Sequence, residues 1–336
     1  MDILNALVVF LNFVFIPAAT YGSQLALGAL GVTFVYSILR FSNFAHGDTM
    51  AFGTMVTIHT TWLMQAAGIS LGILPTALLA LPVGILVTAL FLLGTDRVVY
   101  RFYRERKAAP VIIVIVSLGV MFVMNGIVRL LIGVNDIVFI DGMRQIISPA
   151  EFKTMTGLQE GLGLKMSQAL TLIIAVISVI VLFWFLNRTR TGKSMRAYSD
   201  NEDLALLSGI SPDRVVAVTW IIVAILTTLA GVLYGLDKTY NPFVYFQLLL
   251  PIFAAAIVGG LGSPVGAIVG GYIIAFSEVV VTYAWKKVVT YLLPDGWAPD
   301  SLLQLITTDY KFGVSFSILV IVLLFMPTGI FKGKSV

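Results

Sequence analysis

The sequence contains no cysteine, only two histidines, and few charged residues, 11% of 336. Without cysteine, disulfides and thiolate metal sites are excluded, and two separated histidines, His46 and His59, make no zinc centre. The shortage of charge stands against an apolar content of 59%, a balance that a soluble domain with a polar surface does not reach. Catalytic signatures are missing as well: there is no nucleophile elbow, no HExxH and no paired carboxylates within the apolar runs. Lys193-Ser194 and Lys334-Ser335 each follow a glycine, but a phosphate-binding loop needs another glycine five positions before that one, where Asn187 and Thr328 stand. The chain is therefore expected to bind no nucleotide and to hold no cofactor. Its net charge of +4 needs no nucleic acid, because topology explains where the charges lie.

What is present is a series of apolar runs. A hydrocarbon core of ~30 Å takes about 20 helical residues to cross, and helices satisfy their own backbone there. The predicted fold is all-α: a polytopic transmembrane helix bundle of about 8–10 spans, ten preferred, with discontinuous helices. The predicted spans are roughly 3–19, 21–39, 49–67, 71–94, 108–132, 168–186, 213–236, 246–261, 264–285 and 313–328. The first run lacks a basic segment before it and a small-residue cleavage site after it, so it is expected to be a retained span. All of residues 1–336 are expected to form one transmembrane domain.

Arg97, Arg101, Arg104, Arg106 and Lys107 crowd one loop, and Arg188, Arg190, Lys193, Arg196 and Arg214 crowd another. Both are predicted to be cytoplasmic by the positive-inside rule, and Lys332 and Lys334 place the C-terminus there too. Ten crossings put the N-terminus on that same side. Parity requires that 246–261 cross fully; were it re-entrant, Lys286 and Lys287 would lie inside. Loops 133–167 and 286–312 are expected outside, the first carrying Asp136, Asp141, Arg144, Glu151, Lys153, Glu160 and Lys165, and the second Trp297, Pro299 and Asp300.

Two glycine-rich interruptions, Phe41-SNFAHGDTMAFGT-Met55 and Phe253-AAAIVGGLGSPVGAIVGG-Tyr272, read as discontinuous helix pairs. Irregular backbone at membrane depth is tolerated where protein or a wet cavity surrounds it, and half-helix ends supply donors and acceptors for a solute. Candidates for a solute pathway are Asn43, His46 and Asp48 in the first, Gly259, Gly260, Gly262 and Ser263 in the second, and Glu278 beyond it. Plainer readings compete: Asp48 as a helix cap, the glycine spacing as close helix packing, and Glu278 as a buried hydrogen-bonding group. His59 reads as a packing residue and Arg129 as a snorkelling one.

Residues 188–214 form the most polar stretch between two apolar runs. Asp200 or Asn201 is placed as N-cap of a short helix, with Glu202 and Asp203 in its first turn and Gly209 at its left-handed exit. Ser211 and Pro212 then start the next span. One capped helix over 194–209, held on the inner face, is the expected target of a pushing partner.

Asn43-FAH-Gly47, this capped loop and the second glycine-rich segment together resemble the permease subunits of bacterial ATP-binding-cassette importers for branched-chain and other hydrophobic amino acids, the high-affinity leucine-uptake type. The match runs from about residue 20 to 285, in the same motif order. The resemblance implies an inner-membrane permease whose coupling helix docks into a separate ATPase. Arg196, Asp200, Glu202, Asp203, Leu204, Ala205 and Gly209 are the positions it assigns to that coupling. Asp203-Leu204-Ala205 stands where the family tends to have Glu-Ala-Ala, a departure in two residues. It also implies two ATPase subunits that bind ATP and Mg, a second permease that is a paralogue more often than an identical copy, and a periplasmic solute-binding protein. Surrounding lipid completes the list of partners. Related permeases for urea, short amides or other small polar solutes, and a secondary transporter driven by an ion gradient, are the alternatives.

Overall fold

The computed structural model describes residues 2–139, 142–293 and 301–331. The positions named above at Asp141, Trp297, Pro299, Asp300, Lys332 and Lys334 lie outside them. The chain is helical almost throughout. Nine helices of membrane-crossing length are seen among the described residues: α1 (Asp2–Leu39), α2 (His46–Ala66), α3 (Ala77–Glu105), α4 (Pro110–Ile132), α6 (Met166–Arg188), α9 (Pro212–Asp237), α10 (Pro242–Gly259), α11 (Pro264–Thr282) and α13 (Thr308–Phe325). Shorter helices are α5 (Pro149–Thr156), α7 (Arg190–Asp200), α8 (Glu202–Leu207) and α12 (Lys286–Leu292). A two-stranded antiparallel ribbon, β1 (Gln145–Ile147) with β2 (Leu164–Lys165), brackets α5.

Eight of the nine long helices are apolar enough to cross a membrane; α2 is the other, because threonine recurs along it. Each of Thr49, Thr54, Thr57, Thr60 and Thr61 returns its hydroxyl to the carbonyl four residues back, at 2.7 to 2.9 Å. Such back-bonding makes a polar helix compatible with a dry interior. α2 packs against α3, α9 and α10, while α1 packs against α9, α10 and α11. This inner group buries Trp220, Tyr240, Tyr245, Leu30 and Met50. α4, α6 and α13 lie outside it with many exposed apolar side chains, as lipid-facing or partner-facing helices do.

The separate spans expected at 3–19 and 21–39 are one helix. Polar residues near the expected junction are satisfied within it: Thr20 donates to the Ile16 carbonyl at 2.8 Å and Ser23 to that of Ala19 at 2.9 Å. Pro17, which has no N–H to give, follows a π-helical segment, Leu11–Phe15, so the helix widens there and continues. At ~1.5 Å per residue its 38 residues run well beyond a ~30 Å core.

The two ends of the bundle are distinct. At one, the basic end, the Arg40 guanidinium donates to the Ser199 carbonyl at 2.7 Å, and Arg101 lies 3.7 Å from Asp213. At the far end, Asn5 accepts from the Gln159 and Glu160 amides at 3.1 and 3.2 Å, and Lys287 pairs with Glu160 at 2.8 Å. The described parts of loops 133–167 and 286–312 thus share a side, opposite α7 and α8. The N-terminal end of α1 is on that far side, which corrects the expectation that both termini lie with the basic loops. Residues 330 and 331 are at the basic end, where their amides bond the Val258 and Gly259 carbonyls at 2.9 and 3.1 Å. The run 246–261 lies in α10 up to Gly259, with Gly260 and Leu261 in the turn that follows; α10 goes from the far end to the basic end and the chain returns as α11.

Candidate functional site

The segment between α6 and α9 is two helices rather than one. Thr189 caps α7, accepting from the Gly192 amide at 3.0 Å, and Gly192 is needed because a Cβ there would sit 2.3 Å from the Phe185 carbonyl oxygen. Met195 and Tyr198 anchor α7 in the bundle. Asn201 then turns extended, with φ −152° and ψ 108°, ending α7 and capping α8 by accepting from the Leu204 amide at 3.0 Å. Asn201 is therefore the cap, and Asp200 is the last residue of α7. Ser211 precedes Pro212 at the start of α9 but makes no side-chain cap.

Around this break the side chains divide. The Tyr198 hydroxyl donates to Glu202 at 2.5 Å, across the two helices, and burial together with this bond raises its pKa. Arg196 donates to Asn187 Oδ1 at 3.0 Å, tying α7 back to the end of α6. Ala205 is buried, whereas Leu204 is 61% exposed and Leu207 84%. Asp203 is exposed beside them, and Gly209 exits with φ +79°. The result is a short helix with a buried small residue on its inner side and a leucine-rich, acid-flanked tip directed away from the bundle. Leu206 and Leu207 were absent from the sequence-based set; their exposure is visible only once Ala205 is fixed as the inward position.

Both glycine-rich interruptions are turns between helices at the basic end. In the first, Arg40 is left-handed (φ 58°) and Asn43 folds inward, where its Oδ1 accepts from the Ala45 amide at 3.1 Å and the Tyr100 hydroxyl at 3.2 Å. Tyr100 stacks on Trp220, so this turn is locked to α3 and α9. His46 is fully buried; its Nε2 is 2.9 Å from the Gly28 carbonyl and its Nδ1 has no partner. Asp48, also buried, accepts from Asn125 at 2.7 Å through one oxygen, while the other has no partner. It thus ties α2 to α4; it lies in the first turn of α2, whose N-cap is Ala45, and no side chain caps that helix. Arg129 is close enough to Asp48 for their charges to interact, and it stacks 3.9 Å above the Phe243 ring instead of running outward. His59 bonds the Met55 carbonyl at 3.0 Å, as a packing residue does.

In the second turn, Gly260 (φ 111°) and Gly262 (φ 88°) reverse the chain, and Ser263 caps α11 by accepting from the Gly266 amide at 3.1 Å. Gly259 meets the Gly266 carbonyl with no room for a side chain, and Gly270 meets that of Ala255 in the same way. Close backbone packing of α10 on α11 accounts for these glycines. Glu278 is remote from both turns: near the far end it takes a hydrogen bond from Ser315 of α13, with its second oxygen unpartnered. The structure therefore does not bring the pathway candidates into one cavity. Asn43, His46 and Asp48 form one buried polar set, Gly259 to Ser263 one turn, and Glu278 a third place.

Between that second turn and α7 lies a half-open crevice of about 310 Å³ bordered by α1 and α6. A second, of about 320 Å³, opens at the far end between Arg144, Lys165, Asp237 and Lys238. No cluster of three or more histidine, cysteine or acidic side chains able to hold a metal is found among the described residues.

Comparison with known proteins decides the family. The family described as the permease component of the branched-chain amino acid transport system matches residues 15–324. The chain belongs to this permease family. The permease shares 31% identity over 327 residues with the high-affinity branched-chain amino acid transport system permease protein LivH of Salmonella typhimurium, covering 93% of this chain and 92% of that one. It shares 28% over 316 residues with BraD of Pseudomonas aeruginosa, at the same coverage. A probable LivH of Methanocaldococcus jannaschii is 30% identical over 268 residues, 79% of each chain. A nucleoside permease, NupB of Lactococcus lactis, aligns over only 38% of this chain and 35% of its own. No solved structure matches. The permease is thus a multi-pass membrane protein of a transport family.

Proposed function

We propose that this permease forms half of the transmembrane passage of an ATP-binding-cassette importer for branched-chain or other hydrophobic amino acids, moved between states by a separate ATPase that bears on α7 and α8. The observation that carries this reading is the α8 tip. Leu204 and Leu207 are exposed on a helix that is capped, tied through Tyr198–Glu202 to α7, and joined by Gly209 to the start of α9, the most enclosed long helix of the bundle. An apolar knob held this rigidly at a membrane surface suits a cleft in a soluble partner. Force applied there reaches α9 directly, and α9 packs on α1, α2 and α3.

The basic end is the cytoplasmic one, by the concentration of Arg97, Arg101, Arg104, Arg106, Arg188, Arg190, Lys193, Arg196 and Arg214 in its loops. The partners are two ATPases binding ATP and Mg, a second permease, and a binding protein at the far end that meets loop 133–167. Purified importer in liposomes tests the reading: leucine uptake requires ATP and the binding protein, and collapses of ion gradients leave it unchanged. Gradient-driven flux through the permease alone, or uptake of urea in place of leucine, contradicts it.

A further inference from the structure

We propose that Arg40 is a positioning residue of the transport cycle: it ties the segment 41–46 to α7, so that the inward-running chain leading to His46 moves when the ATPase bears on α7. The inference rests on the transport reading above and adds a second route for the force, beside the one through α8 and Gly209.

Backbone conformation gives the first ground. Arg40 closes α1 with φ 58° and ψ 28°, its amide bonding the Tyr36 carbonyl at 3.1 Å. Glycine is the usual residue at such a left-handed exit, because any side chain there is strained. What arginine adds over glycine is its reach. The guanidinium crosses to the last turn of α7 and donates to the Ser199 carbonyl at 2.7 Å, joining residues 159 positions apart. The final carbonyls of a helix lack partners within it, and a cation suits the negative end of the helix dipole. Arg40 is also near enough to Tyr198 for its charge to act there, and the Tyr198 hydroxyl holds Glu202 of α8 at 2.5 Å. It therefore sits where α7 and α8 meet. Its acceptor is backbone, one turn beyond Met195, which anchors α7 in the bundle.

The second ground is where the tied segment goes. Residues 41–45 are not helical, and they run inward from the basic end. His46 meets the Gly28 carbonyl at 2.9 Å, twelve positions before Arg40 on α1 and so about 18 Å along that helix. On the way Asn43 accepts from the Tyr100 hydroxyl of α3 at 3.2 Å, and the Phe44 amide donates to Ser117 of α4 at 3.1 Å. The Phe44 ring lies 5.4 Å from that of Phe253 in α10. A pull at Arg40 thus reaches α3, α4 and α10 inside the bundle, through backbone that has no helical ladder to break.

The test uses the complete importer in liposomes, with ATP inside and binding protein outside, and reads leucine imported per ATP hydrolysed. Arg40→Gly keeps the left-handed exit and removes the tie; the ratio should fall about fivefold, the scale of one lost hydrogen bond. Arg40→Lys keeps a donor and should recover about half of the wild-type ratio or more. Because the chain has no cysteine, Ser42→Cys reports on the segment itself. In nanodiscs its rate of reaction with a maleimide should differ about threefold or more between the ATP-free and the vanadate-trapped importer, and adding Arg40→Gly should abolish that difference. An unchanged ratio in Arg40→Gly, a ratio in Arg40→Lys as low as in Arg40→Gly, or a Ser42→Cys rate that is the same in both states overturns the proposal. The last of these decides even where Arg40→Gly fails to insert. Any such outcome alongside ATP-driven uptake by the wild type leaves the transport reading standing, whereas absence of that uptake removes both.

Discussion

At the scale of single residues, glycines divide by what surrounds them. A Cβ on Gly270 would lie 2.0 Å from the Ala255 carbonyl oxygen and 2.9 Å from the Gly259 amide nitrogen, both backbone atoms that cannot rotate away. Gly270→Ala is therefore expected to destabilise by about 1–3 kcal/mol through overpacking. Gly126, on the outer helix α4, has nothing within 4 Å of its would-be Cβ, so Gly126→Ala should leave stability unchanged or raise it by up to ~1 kcal/mol. Thermal unfolding of the two purified variants in one detergent checks the contrast; equal midpoints would remove the close-packing account of the α10–α11 glycines. Asp48 belongs to the same scale. Asn125→Leu strands a buried carboxylate that already has one unpartnered oxygen, with an expected cost of about 1–3 kcal/mol, read as a lower midpoint in the same assay. The sequence singled out Asn43, His46 and Asp48, all three of which are buried. It gave no means of seeing Tyr100, Asn125 or Gly28 as their partners, because those contacts join residues 18 to 77 positions apart.

Among elements, the α7–α8 segment shows what local signals resolve and what they leave out. Capping residues, first-turn acids and the Gly209 exit were legible from residue type, yet Asp200 and Asn201 competed for one cap, and only the extended backbone at Asn201 separates the two helices. Asn201→Ala should cost about 1 kcal/mol of helix stability and lower coupling before it lowers expression, measured as solute-stimulated ATP hydrolysis per inserted permease. The far-end cap made by the start of α1, α12 and loop 133–167 gives a pH prediction. Burial works against charge on Glu160, but hydrogen bonds from Lys287 and Tyr291 outweigh it and hold its carboxyl below the usual range. Tyr291 is correspondingly pushed up to about 12, first by its bond to Glu160. A lowered carboxyl pKa stabilises above the unfolded value of about 4.3, and the contribution is lost as pH falls through the lower folded value. Trp285 emission, reporting on the neighbouring α12, should change only as pH falls below the ordinary carboxyl value of about 4.3 in the wild type and lose that transition in Glu160→Gln. A transition that persists in the variant assigns it elsewhere.

For the whole molecule, hydropathy marked the apolar runs but not the joining of the first two. Hydropathy located every long helix, but α1 continues through Thr20 and Ser23 because their hydroxyls bond inside the helix, a satisfaction that apolarity does not record. One joined pair leaves nine long helices among the described residues, eight of them apolar enough to cross, and puts the start of α1 at the far end, while the basic loops and residues 330 and 331 keep their side. The absence of cysteine makes this easy to test: Ile3→Cys and Met155→Cys should react with an impermeant maleimide from the same side of intact cells, and Leu207→Cys only after the membrane is opened. Labelling of Ile3→Cys together with Leu207→Cys would restore the ten-span topology.

The central claim is that the exposed tip of α8 carries motion from the ATPase to the bundle. It is tested most directly by measuring leucine-stimulated ATP hydrolysis and uptake by the reconstituted importer with Leu207→Asp in this permease. The account predicts that both fall by about tenfold, the loss of one well-packed apolar anchor, while the permease still inserts and its unfolding midpoint is unchanged. Hydrolysis and uptake at wild-type rates in that variant would contradict it.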